Sequence, residues 1–369
     1  MPGDHRLESR DPELLERLCA WVRGGARPPQ ANFVDFDVNP PREPPVAVQG
    51  ASRYRIAQWA GRGESALQSG RVARVVLNGG MATRFGGGAK GVVPVVPERP
   101  DASFLACIVA SAYRFSVQTP VVLMHGEHTA EPSEAHLQRL DWLGLAPQAR
   151  HRVIQPTLPR LDPDGQPLTP ADAPWARAST GHGALVRALR ETGLGQTLLQ
   201  RGVQTLFVSN VDNVGACLDP VLLGFHLAQV DRGAAMTAEA IARPAERVGS
   251  FIAAGPRGWP VVIEDFRLDP VAAARPFTHC SINNLWIELP ALLAAPPLAW
   301  HLVPKTIDAD GGSRPVLQFE QLVGQLSDFL PTAVIEVGAE RFLPIKSRSD
   351  LHTHRERLEQ IVAQRLTSP

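Results

Sequence analysis

The chain has 369 residues, of which 20% are charged and 44% are hydrophobic, and its formal net charge at pH 7 is +0. These values exclude a strongly basic nucleic-acid-binding surface, and the lack of any run of about eighteen apolar residues excludes a transmembrane helix. The length suits one large α/β domain or two smaller ones, and the expected partner is a small molecule.

The amino terminus and the cysteines indicate where the protein works. The first ten residues lack the apolar core of a signal peptide. The cysteines are far apart, and none forms a CxxC pair that would suit a zinc site or a disulfide framework. We therefore predict a cytoplasmic protein with four reduced, buried thiols, at Cys19, Cys107, Cys217 and Cys280.

The predicted elements begin with a helix and an arm. Asp11 and Pro12 provide an N-cap followed by proline in the first turn, which suits a helix start. Apolar residues between positions 14 and 22 share one face of that helix. Residues 27–46 are rich in proline, which favours an extended arm that lies on the rest of the domain.

From Val72 onward, short apolar runs alternate with helical patterns. Strands are predicted in VARVVLN, PVVLM, HRVIQ, TLFVSN and AAMTA, and helices at residues 103–115, 133–143, 181–192 and 219–230. Strands that are apolar on both faces and alternate with helices indicate a parallel sheet covered on both sides. After residue 249 the pattern is more β-like, and residues 348–366 are predicted as one helix.

Ligands of such sheets bind where the parallel strands end. Polar positions that follow the predicted strands are the loop after Leu77, then His125, Gln155, Asn210 and Asp212. We expect these positions to gather at one edge of the sheet.

The loop after the first of these strands, LNGGMATRFGGGAKG at residues 77–91, combines six glycines with one lysine. It fails the GxGxxG dinucleotide pattern because its first two glycines are adjacent, and it fails the P-loop pattern because Gly91 replaces the hydroxyl residue after the lysine. No HRD or DFG segment supports a kinase. The loop still predicts phosphate binding through backbone N–H groups, Arg84 and Lys90, with a glycine-rich turn that binds nothing as the alternative.

Six motifs in order carry a family resemblance. The glycine loop resembles LxGGxGTRLGxxxPK, a signature of nucleotidyltransferases that make sugar nucleotides. The others are WARASTGHG (175–183), resembling W-x-PPGHGD; FVSNVDNVGA (207–216), resembling V-S-N-x-D-N-L; SINNLW (281–286), resembling N-T-N-N-L-W; VLQFEQLVG (316–324), resembling I-Q-L-E-T-A-x-G; and RFLPIKSRSDL (341–351), resembling R-F-x-P-V-K-x-x-S-D-L. The chain thus resembles the UTP–glucose-1-phosphate uridylyltransferase family.

The resemblance implies a fold and a domain plan. The fold is a Rossmann-like, GT-A-like nucleotidyltransferase fold of class α/β, with three α/β/α layers and a mixed central sheet. Residues 1–70 are expected to form the amino-terminal helix and arm packed on the core, residues 71–346 the catalytic domain, and residues 347–369 a carboxyl-terminal helix. Eukaryotic members that make UDP-glucose carry a β-helical domain after the catalytic part, which we do not expect here.

The activity implied is transfer of a uridylyl group from UTP to a sugar 1-phosphate, with glucose 1-phosphate as the first candidate and Mg²⁺ as cofactor. The sugar phosphate is already an anionic nucleophile, so the site must align two polyanions and neutralise growing charge. The resemblance assigns this work to Lys90, Arg84 and Lys346, and the metal to Asp212, since magnesium commonly uses one or two carboxylates with phosphate oxygens. No nucleic acid or membrane partner is expected, and the chain is expected to be a monomer or a dimer.

The resemblance also implies binding residues. Those for the nucleotide are Leu77, Gly79, Gly80, Gln155 and Gly181, with the Gln155 amide reading the uracil edge. Those for the sugar phosphate are His182, Asn210, Gly249, Asn283 and Asn284. Adjacent residues of a strand point to opposite faces, so only one of the two neighbouring asparagines is expected to face the sugar.

Several observations leave alternatives open. Met124 suits either the uracil ring or the core, Lys305 also resembles a family lysine, and HGEH at 125–128 lacks the HExxH spacing of a zinc helix. Ala82 and Ala89 depart from the glycine-loop signature, so another sugar phosphate or nucleotide is an alternative, although the GHG segment favours a neutral hexose. A nucleotide-sugar-binding protein without activity is a further alternative.

Overall fold

The computed structural model describes residues 12–169, 175–244, 249–309 and 312–366. In this part of the chain the α-helices are α1 (Pro12–Arg23), α2 (Arg53–Gln68), α3 (Phe104–Tyr113), α4 (Ala130–Arg139), α5 (Ala184–Glu191), α6 (Leu194–Gln200), α7 (Pro220–Val230), α8 (Pro270–Ala273), α9 (Leu289–Ala294), α10 (Arg348–Thr353) and α11 (Arg355–Leu366). The strands are β1 (Val46–Ala47), β2 (Val72–Asn78), β3 (Val121–His125), β4 (Arg150–Ile154), β5 (Thr157–Pro159), β6 (Arg177–Ser179), β7 (Thr205–Asn210), β8 (Met236–Ala242), β9 (Ser250–Ala254), β10 (Pro260–Glu264), β11 (His279–Glu288), β12 (His301–Ala309), β13 (Gly312–Glu320) and β14 (Thr332–Glu336).

The central sheet has eight strands in the order β1-β14-β8-β11-β7-β2-β3-β4. Strand β11 is antiparallel to both of its neighbours, whereas the other pairs in the sheet are parallel. The chain leaves β8 at the carboxyl edge, forms the β9–β10 hairpin, and re-enters through β11 from that same edge, so β11 must run backwards. The mixed sheet implied by the family resemblance is confirmed. The strands that the alternation pattern predicted as parallel run in one direction, and β11, from the more β-like region, is the strand that runs against them.

Two layers of helices cover the sheet, as the α/β/α prediction requires. On β2, Val72 and Val76 join the apolar cluster that includes residues of α3, α7 and α11. The residues between them, Ala73 and Val75, join the opposite cluster, to which α5, α6 and α9 contribute. Because β2 is buried on both faces, its residues are mostly apolar and do not alternate with polar ones; Arg74 and Asn78 are the two buried exceptions.

Helix α2 is absent from the sequence-based predictions. It packs across α7 at two glycines, where a Cβ on Gly63 would lie 1.9 Å from the Pro220 carbonyl oxygen and a Cβ on Gly224 would lie 1.8 Å from that of Trp59. Glycine lowers helix propensity, which weakens the sequence signal. The same glycines allow the two backbones to touch.

The two ends of the chain also differ from simple expectation. Helix α1 begins at Pro12, and the predicted cap Asp11 lies outside the described residues. The single helix predicted at 348–366 is wrong: α10 ends at a non-helical His354, and α11 continues in another direction onto α3. All four cysteines are free, and Cys217 is the one that is partly exposed. No helix in the described part of the chain is long and apolar enough to cross a membrane.

Candidate active site

The predicted charged residues meet at the carboxyl edge of the sheet. The ammonium group of Lys90, in the loop after β2, lies 2.8 Å from Oδ2 of Asp212, which follows β7. The lysine side chain is 11% exposed and the aspartate side chain is 19% exposed, so the pair faces a cavity without being fully solvated. That cavity, of about 240 Å³, is lined by Met81, Ala82, Arg84, Phe85, Lys90, Asp212 and Lys346.

Lys346 reaches this cavity through backbone contacts. The Ile345 N–H donates to the carbonyl of Asp212 over 3.0 Å, and Asn213 and Pro344 form a β-bridge. The N–H of Lys346 donates to Oδ2 of Asp350 over 2.7 Å. These main-chain contacts hold Lys346 close to Asp212, and the side chain of Lys346 is exposed.

The glycine loop folds back on itself to present Lys90. The Ala82 N–H donates to the Gly88 carbonyl over 2.8 Å, and the Lys90 N–H donates to the Gly80 carbonyl over 3.2 Å. Residues 86–88 all have positive φ, at 101°, 103° and 81°, a conformation that glycine adopts without the strain of a side chain. Ala82 and Ala89, the two departures from the signature, are buried within the fold of the loop.

On the side predicted for the nucleotide, Gln155 follows β4 and lies against the loop. A Cβ on Gly79 would be 2.8 Å from Nε2 of Gln155, so the missing side chain is what allows the amide to sit there. Gly80 is exposed beside it. The side chain of Leu77 lies in the core and its carbonyl accepts from the Val211 N–H, and its contact with the nucleotide stays a prediction. Leu77 is the last residue but one of β2 and offers no polar side-chain group.

The GHG segment is held by the chain that follows β13. Gly181 has a φ of 82°, and a Cβ there would lie 2.5 Å from the carbonyl oxygen of Gln321. Nδ1 of His182 accepts from the Val323 N–H over 2.9 Å. Burial lowers the pKa of His182 to about 4, and the donated N–H also favours the neutral ring. At pH 7 the histidine is therefore neutral and carries its proton on Nε2.

The two neighbouring asparagines separate into different environments. Nδ2 of Asn283 donates to Oδ1 of Asn210 over 2.9 Å at the open edge. Asn283 has a φ of 55°, a left-handed conformation that asparagine tolerates better than most residues. It lies in the irregularity of β11 between Ser281 and Leu285, where the pairing with β8 shifts register.

Asn284 is removed from the predicted sugar contacts. It is fully buried, its Nδ2 donates to Glu239 over 2.8 Å, and its Oδ1 accepts from Asn213. Arg341 and Trp286 donate to the same glutamate. This hydrogen-bond network links β8, β11 and the segment before Lys346, so the role of Asn284 is to stabilise the fold.

Glu264, at the end of β10, was missed by the sequence-based reasoning. Its Oε2 lies 3.8 Å from the position of a Cβ on Gly249, which directly precedes Ser250, the residue of β9 that pairs with Glu264. Burial and then the neighbouring Asp265 raise the pKa of Glu264 to about 7. An acidic pair directly after an apolar strand, in WPVVIED, was the available signal.

Three alternatives from the sequence are resolved by burial and contact. Met124 is fully buried in the core. His125 is also buried, where Nδ1 contacts the Asn78 amide at 2.9 Å, so it does not join the open edge. Lys305 is exposed on the β12–β13 hairpin, 3.9 Å from Glu320. Within the described ranges, no group of three or more His, Cys, Asp or Glu side chains could hold a metal by itself.

Known proteins resemble this chain in sequence. The probable UTP–glucose-1-phosphate uridylyltransferase of Schizosaccharomyces pombe is 29% identical over 309 residues, which is 76% of this chain and 58% of the relative. The Saccharomyces cerevisiae UTP–glucose-1-phosphate uridylyltransferase is 29% identical over 305 residues, 78% of this chain and 60% of that one. UDP-N-acetylglucosamine diphosphorylase 2 of Arabidopsis thaliana is 26% identical over 334 residues, 81% and 66% of the two chains. The chain therefore spans less than two thirds of these relatives.

Solved structures resemble the fold. The UDP-glucose pyrophosphorylase of Leishmania major, known in open and closed forms, superposes with a TM-score of 0.71 at 23% identity over 91% of this chain and 73% of that one. The Trypanosoma brucei uridine diphosphate N-acetylglucosamine pyrophosphorylase gives a TM-score of 0.72 at 19% identity, over 87% and 72%. The model of the UTP–glucose-1-phosphate uridylyltransferase family matches residues 44–368. This protein belongs to that family.

Proposed function

We propose that this protein transfers a uridylyl group from UTP to a sugar 1-phosphate and releases pyrophosphate. The observation that carries the proposal is the cavity where Arg84, Lys90 and Lys346 surround Asp212. Three cations and one carboxylate suit a site that has to collect two polyanions and one divalent metal ion. The neutral His182 adds a hydrogen-bond donor without adding a further charge.

The reaction needs no general base. An oxygen of the sugar phosphate attacks the α-phosphorus of UTP, a new P–O bond forms, and the bond from the α-phosphorus to the bridging oxygen of the pyrophosphate breaks. Charge then grows on the pyrophosphate that leaves. Lys90 and Arg84 lie on the glycine loop and Lys346 lies just before α10, so two separate parts of the chain supply cations that could neutralise the leaving and attacking groups.

Mg²⁺ is the proposed cofactor, and Asp212 is its proposed protein ligand. Asp212 lines the cavity, and Lys90 donates to its Oδ2, so the carboxylate has a second oxygen that could take a cation. Magnesium commonly takes one or two carboxylates and completes its shell with phosphate oxygens and water, so a lone aspartate fits. Bound there, the ion would neutralise phosphate charge and orient the oxygens for in-line displacement.

The base and the sugar are proposed to lie on opposite sides of this cluster. Gln155 and the main chain of Gly181 would contact the uracil, and Asn210 with Asn283 would contact sugar hydroxyls. Glu264 would accept from a sugar hydroxyl beside Gly249, where no side chain fills the space. We propose glucose 1-phosphate as the first substrate because these groups are amides and a carboxylate, which suit hydroxyls.

One assay of pyrophosphate release tests the reaction. The purified protein is supplied with Mg²⁺, each of five nucleoside triphosphates and each of a set of sugar 1-phosphates that includes glucose, galactose and N-acetylglucosamine. We expect release with UTP and a neutral hexose 1-phosphate, and none with Mg²⁺ replaced by a chelator. UTP binding without release in any combination would contradict the proposal and favour a nucleotide-sugar-binding protein.

A second sugar is favoured by a specific observation. Some relatives are named UDP-N-acetylglucosamine diphosphorylases, and their identity to this chain is close to that of the glucose enzymes. The same assay separates the two, because an N-acetyl group must be accommodated beside the 2-position of the sugar. If pyrophosphate is released faster with N-acetylglucosamine 1-phosphate than with glucose 1-phosphate, N-acetylglucosamine 1-phosphate is the preferred substrate.

A further inference from the structure

The tip of the glycine loop is held from outside the loop. The bonds from Ala82 to Gly88 and from Lys90 to Gly80 join the two arms of the loop to each other. At the tip, Nη2 of Arg348 donates to the carbonyl oxygen of Phe85 over 2.9 Å. The three glycines that follow Phe85 all have positive φ and carry no side chains that could pack. The bond from Arg348 therefore restrains the part of the loop whose backbone has the most conformational freedom.

Arg348 lies close to Lys346 in the chain, on the segment that leads into α10, which we call the Lys346 wall. It is the first residue of α10, two positions after Lys346. The helix start is rigid, because Oδ2 of Asp350 accepts from the N–H groups of Lys346 and Ser347 and the Ser347 hydroxyl caps the helix. Lys346 and Arg348 therefore move as one unit.

Two polar contacts connect the glycine loop with the Lys346 wall. One is the ion pair of Lys90 with Asp212, whose carbonyl also accepts from the segment before Lys346. The other is the bond from Arg348 to Phe85. The ion pair consists of residues that the proposed reaction uses, so substrates would compete for Lys90 and Mg²⁺ would compete for Asp212. The second contact uses a main-chain carbonyl and Arg348, neither of which has a part in the proposed reaction, so substrates would not compete for it.

We propose that Arg348 is a positioning residue that holds the glycine loop against the Lys346 wall, so that Arg84 and Lys90 are preorganised for the triphosphate. This inference rests on the proposed function. The resembling motif leaves position 348 open, so the family resemblance assigns it no role. A guanidinium suits the task because it donates from a fixed plane to a carbonyl and remains charged at every relevant pH.

The chain offers a matched control. Arg355 lines the same surface pocket as Arg348, together with Phe85 and Leu351. Its guanidinium donates to Glu98 and Glu359, and neither of these acceptors lies on the glycine loop. Arg355→Met removes a cation of the same size from the same pocket, whereas Arg348→Met removes the bond to Phe85. Arg348→Lys keeps the charge and restores one donor.

The test compares these three variants with the wild-type protein in kinetics and in hydrogen exchange of peptides that cover residues 82–90. For Arg348→Met we expect about a tenfold rise in KM for UTP, as for loss of one charge-assisted bond, with KM for the sugar phosphate within about twofold. Loop amides should exchange faster, Arg348→Lys should recover part of both effects, and Arg355→Met should match the wild type.

Two results would overturn the inference. One is unchanged loop exchange and unchanged KM for UTP in Arg348→Met. The other is an equal effect of Arg355→Met, which would indicate a general disturbance of α10 and α11. If Arg348→Met does not fold, Arg348→Lys decides by the same readouts. If the wild type releases no pyrophosphate at all, the proposed function fails, whereas loop exchange still tests the role of Arg348.

Discussion

The two halves of the candidate site are built differently. The half proposed for the nucleotide lies at the ends of the parallel strands β2, β4 and β7. The glycine loop and Gln155 lie there because each directly follows one of these strands. The half proposed for the sugar is built from the β9–β10 hairpin and the irregular part of β11. The carboxyl ends of parallel strands lie at the same edge of the sheet, so the residues that follow them come close together. At a register shift, the direction of each side chain depends on the local irregularity of the strand.

The largest effect is expected where the two halves join. Asp212→Ala should lower turnover by about 10³-fold or more, because it removes the proposed metal ligand and the partner of Lys90. Pyrophosphate release measures the loss, and a thermal melt checks the fold. Asp231→Ala, which breaks the exposed pair with Arg62, is the control and should keep full activity. Near-normal turnover of Asp212→Ala in Mg²⁺ would refute the metal assignment.

The nucleotide half alone is tested by Gln155→Ala. We expect KM for UTP to rise about tenfold and the preference for UTP over CTP to shrink, because one amide reads both edge groups of the base. KM for the sugar phosphate should change little. Gln148→Ala, which removes an exposed amide paired with Gln118, should leave both constants as they are. If KM for UTP does not change, the uracil role of Gln155 is wrong.

The sugar half is tested by the neighbouring asparagines. Asn284→Ala should lower the free energy of unfolding by about 1–3 kcal/mol, because it leaves buried partners such as Glu239 less satisfied, without changing KM for the sugar phosphate. Asn283→Gly keeps the left-handed backbone, so stability should stay within about 0.5 kcal/mol while KM for the sugar phosphate rises several-fold. Denaturant unfolding and kinetics measure both. The reverse pattern would exchange the two roles.

The smallest effect concerns pH. The pKa of Glu264 is raised from 4.5 to about 7 in the folded protein, so its contribution to stability is present below pH 4.5 and is lost as the pH rises through 7. Glu264→Gln carries no such charge and should melt at a higher temperature than the wild type at pH 8, with the difference much smaller at pH 5. Parallel melting curves from pH 5 to pH 8 would contradict the buried, protonated state.

Much of the nucleotide half could be predicted because the information is local. The apolar run of β2, the glycines at 86–88 and the position of Gln155 after β4 each follow from a few neighbouring residues. The glycines that pack α2 on α7 show the limit, since the residues that allow the contact weaken the helix pattern itself. Asn284 shows a similar limit, because a residue in a matching motif can serve the buried interior.

The sequence by itself determined the α/β class, the order of the family motifs and the prediction that the loop binds phosphate, since each depends on composition and short spacing. Only the tertiary structure decided that Lys90 meets Asp212, that Arg348 reaches Phe85, and that Asn283 and not Asn284 faces the open edge. These contacts join residues far apart in the chain or depend on a register shift in β11. Their partners are therefore set by how the sheet is assembled, which local patterns do not specify.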